Sequence, residues 1–176
     1  MLCMKDHNTL LHITYEDMIK YHGRSFIGGV AMAYKLLELV SAVLTDGTLV
    51  RGRFQIVLGV NGPGIVDGIE MATRAKTLGL LSIDQQIARD KDAPSAADGQ
   101  DGKYYFIVTY AGRTMIVWLR HGLVPQEFLD LADKTHDGTI TATETERLQH
   151  LKEEIAVFFI AREALSLFHY TLLSDD

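Results

Sequence analysis

The chain has 176 residues, 47% of them hydrophobic, and 23 acidic against 17 basic side chains give a net charge of −6. That length fits one domain with a substantial core, and the lack of any basic block removes the long-range attraction on which nucleic-acid binding depends. A single cysteine, Cys3, excludes an internal disulfide framework and any cysteine-rich zinc module, and points to a reducing, cytoplasmic setting.

Residues 1–12 read as an N-terminal extension with a frayed end. They show no basic start followed by a long apolar run, and no segment of the chain reads as the ~18–20 apolar residues that cross a bilayer, so neither export nor a membrane partner is expected. Residues 14–21 (TYEDMIKY) place Thr14 three positions before Asp17, the pattern of an N-cap, and set Tyr15, Met18 and Ile19 on one side of a short helix. After the glycines of YHGRSFIGG (21–29), residues 30–44 carry Met32, Leu36, Leu37, Val40 and Leu44 at helical spacing, and Asp46-Gly47 supplies a turn. Residues 54–60 (FQIVLGV) read as a central strand entering the tight loop 61–64 (NGPG), and a further helix is expected over residues 65–77. The polar stretch 90–103 (DKDAPSAADGQDGK) reads as a flexible loop.

Residues 104–110 and 114–119 flank Ala111-Gly112-Arg113 and predict a β-hairpin. A short helix over 126–132 and a long one over 143–172 complete the chain, the latter with an apolar stripe through Leu148, Leu151, Ile155, Phe158, Phe159, Leu165 and Phe168. A helix of ~30 residues is about 45 Å long and overruns a domain of this size, so it either breaks or packs on a second subunit; a homodimer is the expectation. The fold class is α+β, a small mixed or antiparallel sheet covered by helices, with a long C-terminal helical region.

Two loops bear glycines immediately before helices. YHGRSFIGG lacks the Gly-Lys-Ser/Thr ending of a phosphate loop and does not follow a predicted strand, yet amides at a helix start, with Arg24 and Ser25 beside them, can attract an anion. Glycines also open helices at tight turns without any ligand. In NGPGIVDGIE (61–70), Asp67 falls in the first turn, where a carboxylate also serves simply as a cap.

Together, ITYEDMIKYHGRSFIGGVAMAYKLL and GIVDGIEMATRAKTLG resemble the FmdE-like family, the relatives of a small component of formylmethanofuran dehydrogenase. Its hallmarks are a His-Gly-His-x-Cys-Pro-Gly loop at a helix start and a second motif, Cys-x-x-Asp-Gly-Ile-Gln. His22, Gly23 and Gly28 match the first, and Asp67, Gly68, Ile69 and Thr73 the second. The resemblance covers residues 13–168 and implies one domain over 13–172, folded like the catalytic domain of glyceraldehyde phosphate dehydrogenase; it implies no particular activity. Where the family has its second histidine and its two cysteines, this chain has Arg24, Phe26 and Gly64. The family's zinc or nickel site is thereby reduced to His22 and Asp67, while a Gly-lined cationic cleft suits a small anion or carboxylate, with His22, Gly23, Arg24, Ser25, Gly28, Asn61 and Gly64 as ligand contacts.

Residues 133–144 (DKTHDGTITATE) also fit a twelve-residue calcium loop, with Asp133, Thr135, Asp137, a Thr139 carbonyl and Glu144 as ligands and Gly138 at the sharp turn. EF-hands pair, and this one stands alone unless a dimer supplies its partner; the same region also reads as a helix cap, Thr141 or Thr143 with Glu144 or Glu146. A calcium-stabilised structural or sensor protein is therefore the alternative to a small-ligand or metal-binding module. His121 and His169 read as packing or surface groups, and no nucleophilic triad can be assembled.

Overall fold

The computed structural model describes residues 1–97 and 101–173. It is an α+β domain with two small sheets rather than the one expected. In the first, β1 (Leu2–Asp6) lies between β2 (Thr9–Ile13), antiparallel to it, and β3 (Thr48–Val50), parallel to it. The second has the order β5-β4-β6-β7-β8, formed by β4 (Phe54–Leu58), β5 (Leu81–Ile83), β6 (Tyr105–Tyr110), β7 (Arg113–Leu119) and β8 (Phe168–Leu172). Only β4 and β5 run parallel there.

The N-terminus is a hairpin, not a frayed extension. Leu2 and Met4 project into the core at 2% and 0% exposure, while β3 fixes β1 from the other side, so both the side chains and the backbone of this segment are satisfied. Helix α1 (Tyr15–His22) begins where the sequence indicates: the Thr14 hydroxyl accepts from the Asp17 N–H at 3.1 Å, and the Asp17 carboxylate accepts from the Thr14 N–H at 3.0 Å. Helix α2 (Ile27–Leu44) is the hub of the domain, buried on nearly every side. It is long and apolar enough to cross a bilayer, contrary to expectation, but the protein's own elements cover it, as they do a core helix. Against it pack α3 (Pro63–Thr73) and α5 (Ala142–Ile160), the latter joined to α4 (Gln126–His136).

The β6–β7 turn is a two-residue one, with Ala111 and Gly112 at φ of 50° and 87°, the conformation that matches strand twist. The expected helix over 143–172 breaks after Ile160. A four-residue helix, α6 (Ala164–Leu167), turns the chain, and β8 returns along β7. Continuing the helix would have carried Leu167 and Phe168 away from the domain; as folded they are 0% and 1% exposed, and β8 supplies hydrogen bonds to the β7 edge. The break removes helix length as a reason for a second subunit. Within the polar stretch 90–103, residues 98–100 lie outside the described residues, and its flanks are held by a bridge between Ser95 and Lys103 and by the Lys103 ammonium on the Arg89 and Lys91 carbonyls.

Candidate functional site

Helices α1 and α3 pack side by side, and this brings His22, at the end of α1, against Asp67 on α3. Gly23 ends α1 at φ 86°, and its N–H closes the last turn on the Ile19 carbonyl at 2.7 Å. The His22 Nδ1 lies 2.8 Å from the Asp67 Oδ2. A carboxylate only accepts, so Nδ1 carries a proton and donates it, and in the neutral imidazole this leaves a lone pair on Nε2. The imidazole is 6% exposed, and its Nε2 is buried without a hydrogen-bond partner among the described residues.

Beside this pair, a cavity of about 80 Å³ opens where the first turns of α2 and α3 meet α5. A single water needs roughly 10–15 Å³ on the same measure, so the space admits a small organic molecule. Gly28, Gly29, Gly62 and Gly64 line it together with Phe26, Met32, Ile65, Phe128, Ile155 and the cationic Lys152. Neither helix start carries a side-chain cap, so first-turn N–H groups of both are left without that partner.

The glycines also have a packing reason. A Cβ at Gly64 would lie 2.3 Å from the Phe26 carbonyl oxygen, and one at Gly29 would lie 3.1 Å from the Ile65 nitrogen. Backbone meets backbone here, and only glycine lets α2 and α3 approach so closely.

Lys152 extends from α5 with its Nζ 4.9 Å from the centre of the Phe26 ring. No carboxylate pairs with it among the described residues, and burial pulls its pKa below the ordinary lysine value. The sequence reading missed it, although there was a signal: Lys152 falls four residues after Leu148 and three before Ile155, inside the apolar stripe of α5.

Of the expected ligand contacts, Gly28 and Gly64 line the cavity; His22, Gly23, Arg24, Ser25 and Asn61 do not. Arg24 points outward, 64% exposed, with its fork on Glu153 at 3.2 Å and 2.6 Å. Asn61 and Asp67 share a shallow depression on the other flank of α3. The Tyr15 hydroxyl donates to the Ile27 carbonyl at 3.4 Å and ties α1 to the start of α2; burial, reinforced by Glu153, raises its pKa.

Neither a family model nor a curated relative matches the chain. Its chemistry is read from its own residues. His22 and Asp67 are two donors bonded to each other, short of the three or four ligands of a zinc site, and no cluster of three or more His, Cys, Asp or Glu able to hold a metal occurs among the described residues.

In the segment proposed for calcium, Asp133 and Thr135 belong to α4, and the Thr135 hydroxyl donates to the Leu131 carbonyl at 3.0 Å. Asp137 caps α4, and Gly138 turns the chain at φ 68° before Thr139. Glu144 accepts from the Thr141 N–H at 2.9 Å, closing a capping box, and also takes the Lys134 ammonium. Calcium would have to displace both partners.

Proposed function

We propose that this protein binds a small molecule with an apolar body and a carboxylate end in the cavity between the two glycine loops. One observation carries the reading: a cavity lined by apolar side chains and uncapped helix starts holds the half-buried ammonium of Lys152, with no carboxylate among the described residues to answer it. An unanswered cation in low dielectric is what an organic acid would complete, and the helix dipoles act in the same direction. Relative to the sequence reading, the anion's partner becomes Lys152 in place of Arg24.

Titration of the purified protein with benzoate and longer phenyl-substituted acids, followed by calorimetry, tests this. A charge-assisted hydrogen bond contributes about 2 kcal/mol, so Lys152→Met should weaken binding roughly thirtyfold. Binding unaffected by that substitution, or no binding of any acid in the series, would overturn the assignment.

Kinship with the FmdE-like family remains part of the proposal. It is supported by the meeting of His22 with Asp67 from the two matched motifs, and by the glycines of both loops at one helix contact. In this reading the missing ligand positions have passed from metal binding to packing. A cytoplasmic setting accords with Cys3, which is unpaired. A homodimer is supported by β8, an edge strand that exposes Tyr170 and Leu172 and has no lysine, acid or proline to guard it.

A further inference from the structure

The His22 imidazole does not line the cavity, yet one side chain joins the two. The Phe26 ring lines the cavity, its centre lies 6.0 Å from the imidazole centre with the planes at 59°, and the Lys152 ammonium lies 4.9 Å from that same ring centre. A buried acceptor without a donor is uncommon in folded proteins and calls for an explanation. Here Asp67 holds the neutral imidazole in the tautomer whose lone pair is on Nε2, so the partner that form lacks among the described residues is a group that donates.

Phe26 can leave at small cost. Its backbone is fixed, because its carbonyl accepts from the Gly29 and Val30 N–H groups at 2.9 Å and 3.2 Å, so a ring movement does not disturb α2. The side chain makes no hydrogen bond, and the residue is already 45% exposed. Its contact with Lys152 is a cation–π one, which an ion pair with a carboxylate can replace.

We propose that Phe26 is a displaceable plug, and that the natural ligand carries a hydroxyl or N–H group which donates to the His22 Nε2 once the ring has swung aside. The inference rests on the reading of the cavity as a carboxylate site. It narrows the ligand to a hydroxylated or amino-substituted organic acid about one ring in length, since both poles lie within 6.0 Å of the ring it displaces.

The test compares 3-phenylpropanoate with 3-(4-hydroxyphenyl)propanoate by calorimetry on the full chain. The hydroxylated acid should bind about tenfold more tightly, His22→Phe should abolish that preference while leaving the affinity for 3-phenylpropanoate, and Phe26→Ala should strengthen binding of both acids several-fold. Nitrogen-15 spectra of the unmutated protein give a readout independent of whether the variants fold: the His22 Nε2 resonance should move well beyond what ring displacement by 3-phenylpropanoate produces when the hydroxylated acid donates to it. Equal affinities together with equal Nε2 shifts for the two acids would overturn the role of His22, and unchanged affinities in Phe26→Ala would overturn the plug, with the carboxylate site intact in either case. Failure of both acids to bind would remove the cavity reading itself, and this inference with it.

Discussion

Gly64 offers the sharpest test of how the site is built. Alanine there would put a methyl carbon 2.3 Å from the Phe26 carbonyl oxygen, 2.9 Å from the Val30 nitrogen and 3.2 Å from the Gly29 carbonyl carbon. Comfortable separations are about 3.5–4.0 Å, so α2 and α3 must part by roughly 1 Å. All three atoms belong to the backbone of one helix start, so no side chain can rotate out of the way. Overpacking costs about 1–3 kcal/mol, and this site belongs at the upper end; alanine returns about 0.5–1 kcal/mol through its better helix propensity. A net loss of about 2 kcal/mol follows, or about 4–8 °C in Tm for a chain of this size. Urea unfolding of Gly64→Ala, with Gly28→Ala as the milder comparison against the Ile155 side chain at 3.2 Å, measures it. If Gly64→Ala matches or exceeds the parent in stability, the close α2–α3 contact is refuted, because propensity alone favours alanine.

Two further predictions concern regions away from the cavity. The Lys134 ammonium, and after it Thr141, hold the Glu144 carboxyl at about 2, below its ordinary 4.5. Its contribution is therefore complete above pH ~4.5 and is lost as pH falls toward 2, so Glu144→Gln should flatten the acid loss of stability in urea midpoints across that window, and an identical acid profile would refute the pairing. For the β8 edge, light scattering should give twice the monomer mass for the parent and the monomer mass for a Tyr170→Lys variant, and a parent that stays monomeric at all concentrations would remove the homodimer.

Much of the fold was legible where the signal is local. Thr14 with Asp17, the Ala111-Gly112 turn and the apolar spacing through α2 all depend on residues within a few positions of one another, and each element lies close to where the sequence puts it. The elements that were not legible depend on distant partners. β1 is stabilised by Thr48–Val50, and Phe168 is buried because Leu119 lies opposite it, relations that periodicity within either segment does not carry. The stripe running from Leu148 to Phe168 kept a helical period by coincidence across the break at Ala161, and length was the clue that it could not be continuous. At the site, His22 and Asp67 were named from the two motifs and do meet, 45 residues apart in sequence. Lys152 was passed over because a lysine in an apolar stripe is normally read as a surface residue whose stem snorkels.

The three positions at which this chain departs from the pattern of its resemblance also belong to one physical arrangement. Without a Cβ at Gly64, the Phe26 carbonyl can sit where a side chain would otherwise stand. That placement sets the Phe26 ring beside His22 and Lys152. Arg24, two residues earlier, is turned outward and anchored to Glu153, the neighbour of Lys152 on α5, which ties the loop to the helix that supplies the cation. A cysteine at 64 alone would meet the Phe26 carbonyl before it met a metal, and a histidine at 24 alone would give up the two hydrogen bonds to Glu153 on α5. Gly64→Cys and Arg24→His should therefore each cost stability without creating a ligand set, because each side chain is fitted to the arrangement that the other positions hold.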